Sequence, residues 1–149
     1  MTYQSTKTFG HEIGLSCAFR QWKADSHCKF VHGYALSFKF TFQAEVLNGI
    51  NWVLDFGGLK ELKVMLQSQF DHKLVIARGD PLISEFRELS GIAWQLVEVD
   101  NVGCESFAKI AFTLAEEFLH NTHSAPRVSL VSCECAEHGA NSAIYLGEF

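Results

Sequence analysis

Only two of the 149 residues are proline, and no stretch is biased towards glycine, serine or charge of one sign. Interdomain linkers carry such bias, so its absence predicts a single domain spanning residues 1–149. No block recurs at a fixed period, which excludes solenoid and propeller arrays. No apolar run reaches the roughly 20 residues that cross a bilayer as a helix, and no signal-peptide pattern opens the chain. A basic stripe is also lacking: the formal net charge is −5, which argues against a dedicated nucleic-acid binder and against a membrane-surface protein. Local basic groups could still receive an anionic substrate. The five cysteines, Cys17, Cys28, Cys104, Cys133 and Cys135, are odd in number and have no C-x-x-C spacing. They are expected to be reduced thiols of a cytoplasmic protein.

What is present is a hydrophobic fraction of 48%, enough for one core. The clearest pattern alternates Leu36, Phe38, Phe40 and Phe42 with Ser37, Lys39, Thr41 and Gln43. Side chains repeat every second residue in a strand, so this is a half-buried antiparallel strand. Ahead of it, Tyr3 to Phe9 and Ile13 to Arg20 read as extended, with a bulge expected near Gly10 or Gly14. Gln21 to His27 reads as a loop. Asn48-Gly49 turns the chain, and Trp52 to Phe56 is expected to return as the second strand of a hairpin. Leu59, Leu62, Leu66 and Phe70 then recur at helical spacing. Asp80-Pro81 signals a short helix through Leu89, and Trp94 to Val99 fits a strand. A second long helix runs from Cys104 or Glu105 to His120, traced by Phe107, Ile110, Ala111, Leu114 and Phe118. Val128 to Cys135 and Ala143 to Leu146 close the chain as strands. The order predicts an α+β domain with two substantial helices on one face of an antiparallel sheet. A long aromatic strand with exposed edges further predicts association with other copies through sheet edges.

Chemistry-bearing residues concentrate at 28–34, where Cys28, His32 and Tyr34 share a face if the run is extended. A thiol is reactive only where its surroundings lower its pKa, and a lone cysteine is more often a small buried hydrophobe. Asp71-His72 has a bland reading too, since histidine suits the negative end of a helix. Glu137 at a strand end reads as solvated. Jointly, these residues carry a resemblance. Cys28-x-x-x-His32-Gly33, Trp52-Val53-Leu54-Asp55-Phe56-Gly57-Gly58-Leu59-Lys60, Phe70-Asp71-His72-Lys73-Leu74, Glu105, and Glu137 with Ile144-Tyr145-Leu146-Gly147-Glu148 follow one another along nearly the whole chain. In that order they resemble the 6-pyruvoyltetrahydropterin synthase and 6-carboxytetrahydropterin synthase family.

The resemblance implies a tunnelling fold: a four-stranded antiparallel sheet with two helices on one face, three sheets joining edge to edge, and two trimers stacking into a homohexamer with sites between subunits. It implies a small-molecule pterin substrate, dihydroneopterin triphosphate, and for the 6-carboxy branch a place on the route to 7-deazaguanine compounds such as queuosine. Carried over by position, Cys28 would be the proton-transferring thiol. Asp71 and His72 would form its relay, and Glu137 would accept hydrogen bonds from the amino-pyrimidine edge of the pterin. Glu105, in Gly103-Cys104-Glu105, is read as helix-start structure.

The family's zinc is held by three histidines, and here two of those positions are Phe19 and Tyr34, leaving only His32. About three protein ligands ordinarily hold a catalytic zinc, so zinc is expected to be absent or weakly bound. Tyr34 as phenolate, Cys17, His11 and His27 are the candidate substitute ligands. Loss of zinc would remove a Lewis acid from the substrate's side-chain oxygens. Three readings follow: a lyase of the 6-carboxytetrahydropterin synthase type with a degenerate zinc site, a non-catalytic pterin-binding or regulatory relative, or a structural partner of a true synthase. Cys28, Asp71, His72 and Glu137 together favour the first. Arg20 and Lys29 are expected to face solvent rather than to grip phosphate.

Overall fold

The computed structural model describes residues 1–148. Its longest strand, His32–Ala44 (β3), has 13 residues, and the others are laid against it. Leu36, Phe38, Phe40 and Phe42 are fully buried on one face of β3, while Lys39 is exposed on the other. Tyr3–Phe9 (β1) pairs antiparallel with residues 38–44 of β3, and Leu15–Phe19 (β2) pairs antiparallel with residues 32–36. The two therefore lie end to end on one edge of β3, with Ser129–His138 (β6) on the other edge. Asn141–Leu146 (β7) pairs antiparallel with β6.

Helices Lys60–Phe70 (α1) and Cys104–Asn121 (α3) pack together over the apolar face. Leu62, Leu66 and Phe70 supply the stripe of α1. Ala108, Ala111 and Ala115 of α3 are wholly buried, and their small side chains let the helix approach the sheet closely. Rings join the layers: Phe70 lies 4.9 Å from Phe38 and 5.4 Å from Phe107, and Phe107 lies 5.0 Å from Phe19.

The expected four-stranded antiparallel sheet is only one part, β1, β3, β6 and β7, of a mixed seven-stranded sheet. Lys73–Ala77 (β4) runs parallel to β2, and Gln95–Val99 (β5) runs parallel to β4. A third helix, Ile83–Glu88 (α2), falls in the connection between them. β4 escapes a search for alternation because Leu74, Val75, Ile76 and Ala77 are all buried, and a parallel strand covered on both faces is a continuous apolar run.

Two local expectations are corrected. Trp52 to Phe56 forms no strand, so the expected hairpin after β3 does not form. Asn48 Oδ1 instead accepts hydrogen bonds from the N–H groups of Ile50 and Trp52, holding a tight loop, and Val53 and Leu54 are buried in the core. Asp80 does not occupy the N-cap of α2, which is Leu82. Its carboxylate accepts from the Leu82 N–H and from Arg20. Among the described residues no helix is long and apolar enough to cross a membrane.

Candidate active site

Cys28 is not on a strand. His27–Lys29 form a single 3₁₀ turn, capped where the Cys28 N–H donates to Ser26 Oγ at 3.3 Å, so the regular strand begins only at His32. The expected common face for Cys28, His32 and Tyr34 therefore holds for the last two alone. The turn is anchored from behind. The Gln21 N–H donates to the Cys28 carbonyl at 2.9 Å, and Arg20 Nη1 donates to the Lys29 carbonyl at 3.3 Å. Arg20 also forks onto Asp80, with Nε to Oδ2 at 2.8 Å and Nη2 to Oδ1 at 2.6 Å. The Asp80 side chain is fully buried. Burial alone would raise its pKa, but the Arg20 hydrogen bonds, the Leu82 N–H and the Arg20 charge together hold it below the ordinary carboxylate value.

Cys28 opens onto a cleft of about 410 Å³ that also receives His32, Glu105 and Glu137. That volume lies within the range of small-molecule sites. The end of β2, the Cys28 turn, the start of β3, the first turn of α3, the end of β6 and the start of β7 all contribute to it. Gly103, at φ 112°, swings the chain into α3 in a conformation that side chains oppose, and no side chain caps the helix. Glu105 thus stands at the cleft as well as at the helix start. Its place there was missed from sequence, where only its helix-opening role was legible.

Two lining residues, Phe19 and His32, belong to an aromatic cluster with Tyr34. Phe19 and His32 rings are 5.1 Å apart, Phe19 and Tyr34 6.1 Å, and His32 and Tyr34 5.4 Å. The β2–β3 register brings them together, with Phe19 directly opposite His32. Gly33 makes that register possible, because a Cβ there would sit 2.9 Å from the Cys17 carbonyl oxygen. His32 Nδ1 is engaged by the Phe30 carbonyl at 2.7 Å. Burial and then the Glu137 charge push the Tyr34 phenol above its ordinary pKa. The thiols behind this wall are inert: Cys17 is buried, its pKa pushed up to about 12, and burial raises Cys133 as well.

Asp71 and His72 lie elsewhere. Their side chains are paired, His72 Nδ1 to Asp71 Oδ1 at 2.7 Å, and Asp71 also accepts from the Ser16 N–H at 3.2 Å. The His72 N–H donates to the Ser16 carbonyl at 2.7 Å, holding a left-handed backbone at φ 57°. The imidazole is 82% exposed and lines a second groove with Val31, Phe86 and Trp94. Within one chain, His72 and the Cys28 thiol therefore line separate clefts.

A sequence model described as 6-pyruvoyl tetrahydropterin synthase matches residues 9–148. The chain belongs to the 6-pyruvoyl tetrahydropterin synthase family. It is 32% identical over 59 residues to a 6-carboxy-5,6,7,8-tetrahydropterin synthase of Rickettsia bellii (strain RML369-C), a match covering 39% of this chain and 43% of that protein. The match thus spans less than half of the relative's length. In fold, the chain is similar to an uncharacterized protein of Wolinella succinogenes, with TM-score 0.78, 19% identity and 99% of each chain covered. It is also similar to a 6-pyruvoyltetrahydropterin synthase catalytic-residue mutant from Plasmodium vivax, with TM-score 0.73, 13% identity, and 100% of this chain and 99% of that one covered.

For a member of the 6-pyruvoyl tetrahydropterin synthase family, the three adjoining rings are the informative departure. The resemblance assigns zinc to the positions of Phe19, His32 and Tyr34, and the fold does bring those positions together. What they offer is an apolar ring, one imidazole and one phenol. That donor chemistry does not fit a three-imidazole zinc centre. Among the described residues, no group of three or more His, Cys, Asp or Glu is placed to hold a metal ion.

Proposed function

We propose that this protein is a 6-carboxytetrahydropterin synthase-like lyase acting on dihydroneopterin triphosphate or a related pterin, on the route to 7-deazaguanine compounds such as queuosine. The observation that carries the proposal is the meeting of Cys28 and Glu137 in one cleft of pterin-sized volume. Glu137 accepts two hydrogen bonds from the amino-pyrimidine edge and fixes the ring's register. Cys28 then transfers a proton at the C6 substituent. Zinc, if bound at all through His32, is bound weakly, and no step is routed through it.

Asp71 and His72 complete the site from a second copy. The exposure of His72, its separate groove and the sheet edges at β1 and β7 support a homo-oligomer, trimer or hexamer, in which the Asp71–His72 pair of one subunit faces the Cys28 cleft of another. The carboxylate orients the imidazole, and the imidazole resupplies the proton. The second reading is a non-catalytic pterin-binding or regulatory relative, favoured by Phe19 and Tyr34 in place of metal ligands.

Metal analysis of the purified protein, followed by incubation with dihydroneopterin triphosphate and 7,8-dihydroneopterin, tests both readings. The enzymatic one expects a new pterin product, lost in Cys28→Ala while pterin affinity stays within about threefold. Pterin binding without any product selects the second reading, and no pterin binding defeats both.

A further inference from the structure

Resting on the reading of Cys28 as the proton-transferring thiol, we infer that Arg20 is a positioning residue for it. Through its hydrogen bond to the Lys29 carbonyl, Arg20 sets where the Cys28 sulfur stands, and so acts on the chemical step rather than on pterin binding. A single 3₁₀ turn is a weak platform for a reacting group, because its hydrogen-bond geometry is poorer than that of an α-helix. Within this turn the Lys29 N–H donates to the Ser26 carbonyl at 3.2 Å and the Phe30 N–H to the His27 carbonyl at 3.0 Å. Those bonds shape the turn without tying it to the sheet. The ties come from the two residues that follow β2: the Gln21 N–H to the Cys28 carbonyl, and Arg20 Nη1 to the Lys29 carbonyl.

Arg20 was expected to face solvent, yet its side chain is only 16% exposed. Its fork fills both Asp80 oxygens, Oδ2 from Nε and Oδ1 from Nη2, and Oδ1 also accepts from the Leu82 N–H. The guanidinium is planar, so the fork fixes the direction of the remaining amino group. The Phe86 ring, with its centroid 5.8 Å from Arg20 Cζ, packs against the guanidinium and restrains it further. Nη1 is thereby aimed at the Lys29 carbonyl, one residue from the thiol. Stability alone does not call for this arrangement, since a buried ion pair exchanged for apolar side chains of similar volume is often neutral. What an apolar pair lacks, and what the single ammonium of lysine cannot reproduce, is a donor held at a set angle behind residue 29. A misplacement of about 1 Å can cost about 100-fold in rate. Glu137, the pterin anchor, stands on β6 and is untouched by a shift of the turn.

Two variants of the full-length protein test the inference. Arg20→Lys keeps a positive charge beside Asp80, and the double variant Arg20→Met with Asp80→Leu removes the pair without stranding a buried charge. Phe40→Ala controls for general loosening, because Phe40 is fully buried and does not line the cleft. The rate of Cys28 alkylation by iodoacetamide, read by peptide mass mapping, is expected to change more than about threefold in both Arg20 variants and less than that in Phe40→Ala. In both Arg20 variants kcat should fall at least about tenfold while the pterin Kd stays within about threefold. Either variant decides the matter if the other does not fold. An alkylation rate within about threefold of wild type in a folded Arg20 variant, an equal change in Phe40→Ala, or a loss confined to pterin affinity would overturn the inference and leave the pterin reading intact. Absence of product from the wild type defeats the enzymatic reading instead, and the alkylation rates then decide by themselves whether Arg20 places the thiol.

Discussion

The resemblance assigns zinc to the positions of Phe19, His32 and Tyr34, whose ring centroids lie 5.1 to 6.1 Å apart. If side-chain chemistry alone decides metal affinity here, the double substitution Phe19→His and Tyr34→His should rebuild the centre. Purified double mutant is expected to carry close to one zinc per chain by elemental analysis, against a small fraction in the wild type. A second residue-scale prediction concerns Asp80. Its pKa is depressed, so the Arg20–Asp80 pair contributes stability above the ordinary carboxylate value of about 3.9 and loses it as pH falls through the lower folded-state value. Arg20→Met leaves a buried, uncompensated carboxylate and should destabilise the fold by about 3 kcal/mol at pH 7. By denaturant unfolding, the difference from wild type should shrink as the pH is taken to about 2.5.

At the scale of elements, β3 is both the core's spine and the site's floor. Its apolar residues hold α1 and α3 against the sheet, and its first residue, His32, lines the cleft. Phe40, fully buried, makes no contribution to the cleft. Phe40→Ala should cost about 3 to 5 kcal/mol in chemical unfolding while leaving pterin affinity at low temperature nearly unchanged. The legibility of elements followed their environment. β3 and α3 each face the core on one side, so period 2 and period 3.6 were plain in Phe38, Phe40 and Phe42 and in Phe107, Ala111 and Phe118. Leu74 to Ala77 is covered on both faces and showed no period, and Trp52 to Phe56 has strand-like residues but is held irregular by Asn48.

For the whole molecule, the separation of Cys28 from Asp71 and His72 makes a prediction about assembly. Cys28→Ala and His72→Ala should each be inactive alone. When the two are unfolded, mixed equally and refolded together, random assembly should restore about a quarter of wild-type turnover, since about a quarter of interfaces then pair an intact thiol with an intact imidazole. No recovery in mixed oligomers would show that the two groups never share a site. A hydrodynamic radius matching a single chain for the active wild-type species would likewise exclude a site shared between subunits.

The sequence by itself determined the family, the α+β class, the half-buried strands and amphipathic helices, and the identity of the residues able to do chemistry. These follow from residue type, order and period, which are local properties. Only the tertiary structure decided that Cys28 approaches the cleft from a turn, that Glu105 joins Glu137 there, that Arg20 is committed to Asp80, and that His72 opens onto a different groove. Each of those outcomes depends on which distant segments are brought within a few ångströms, and that is set by strand register and helix packing rather than by any pattern along the chain.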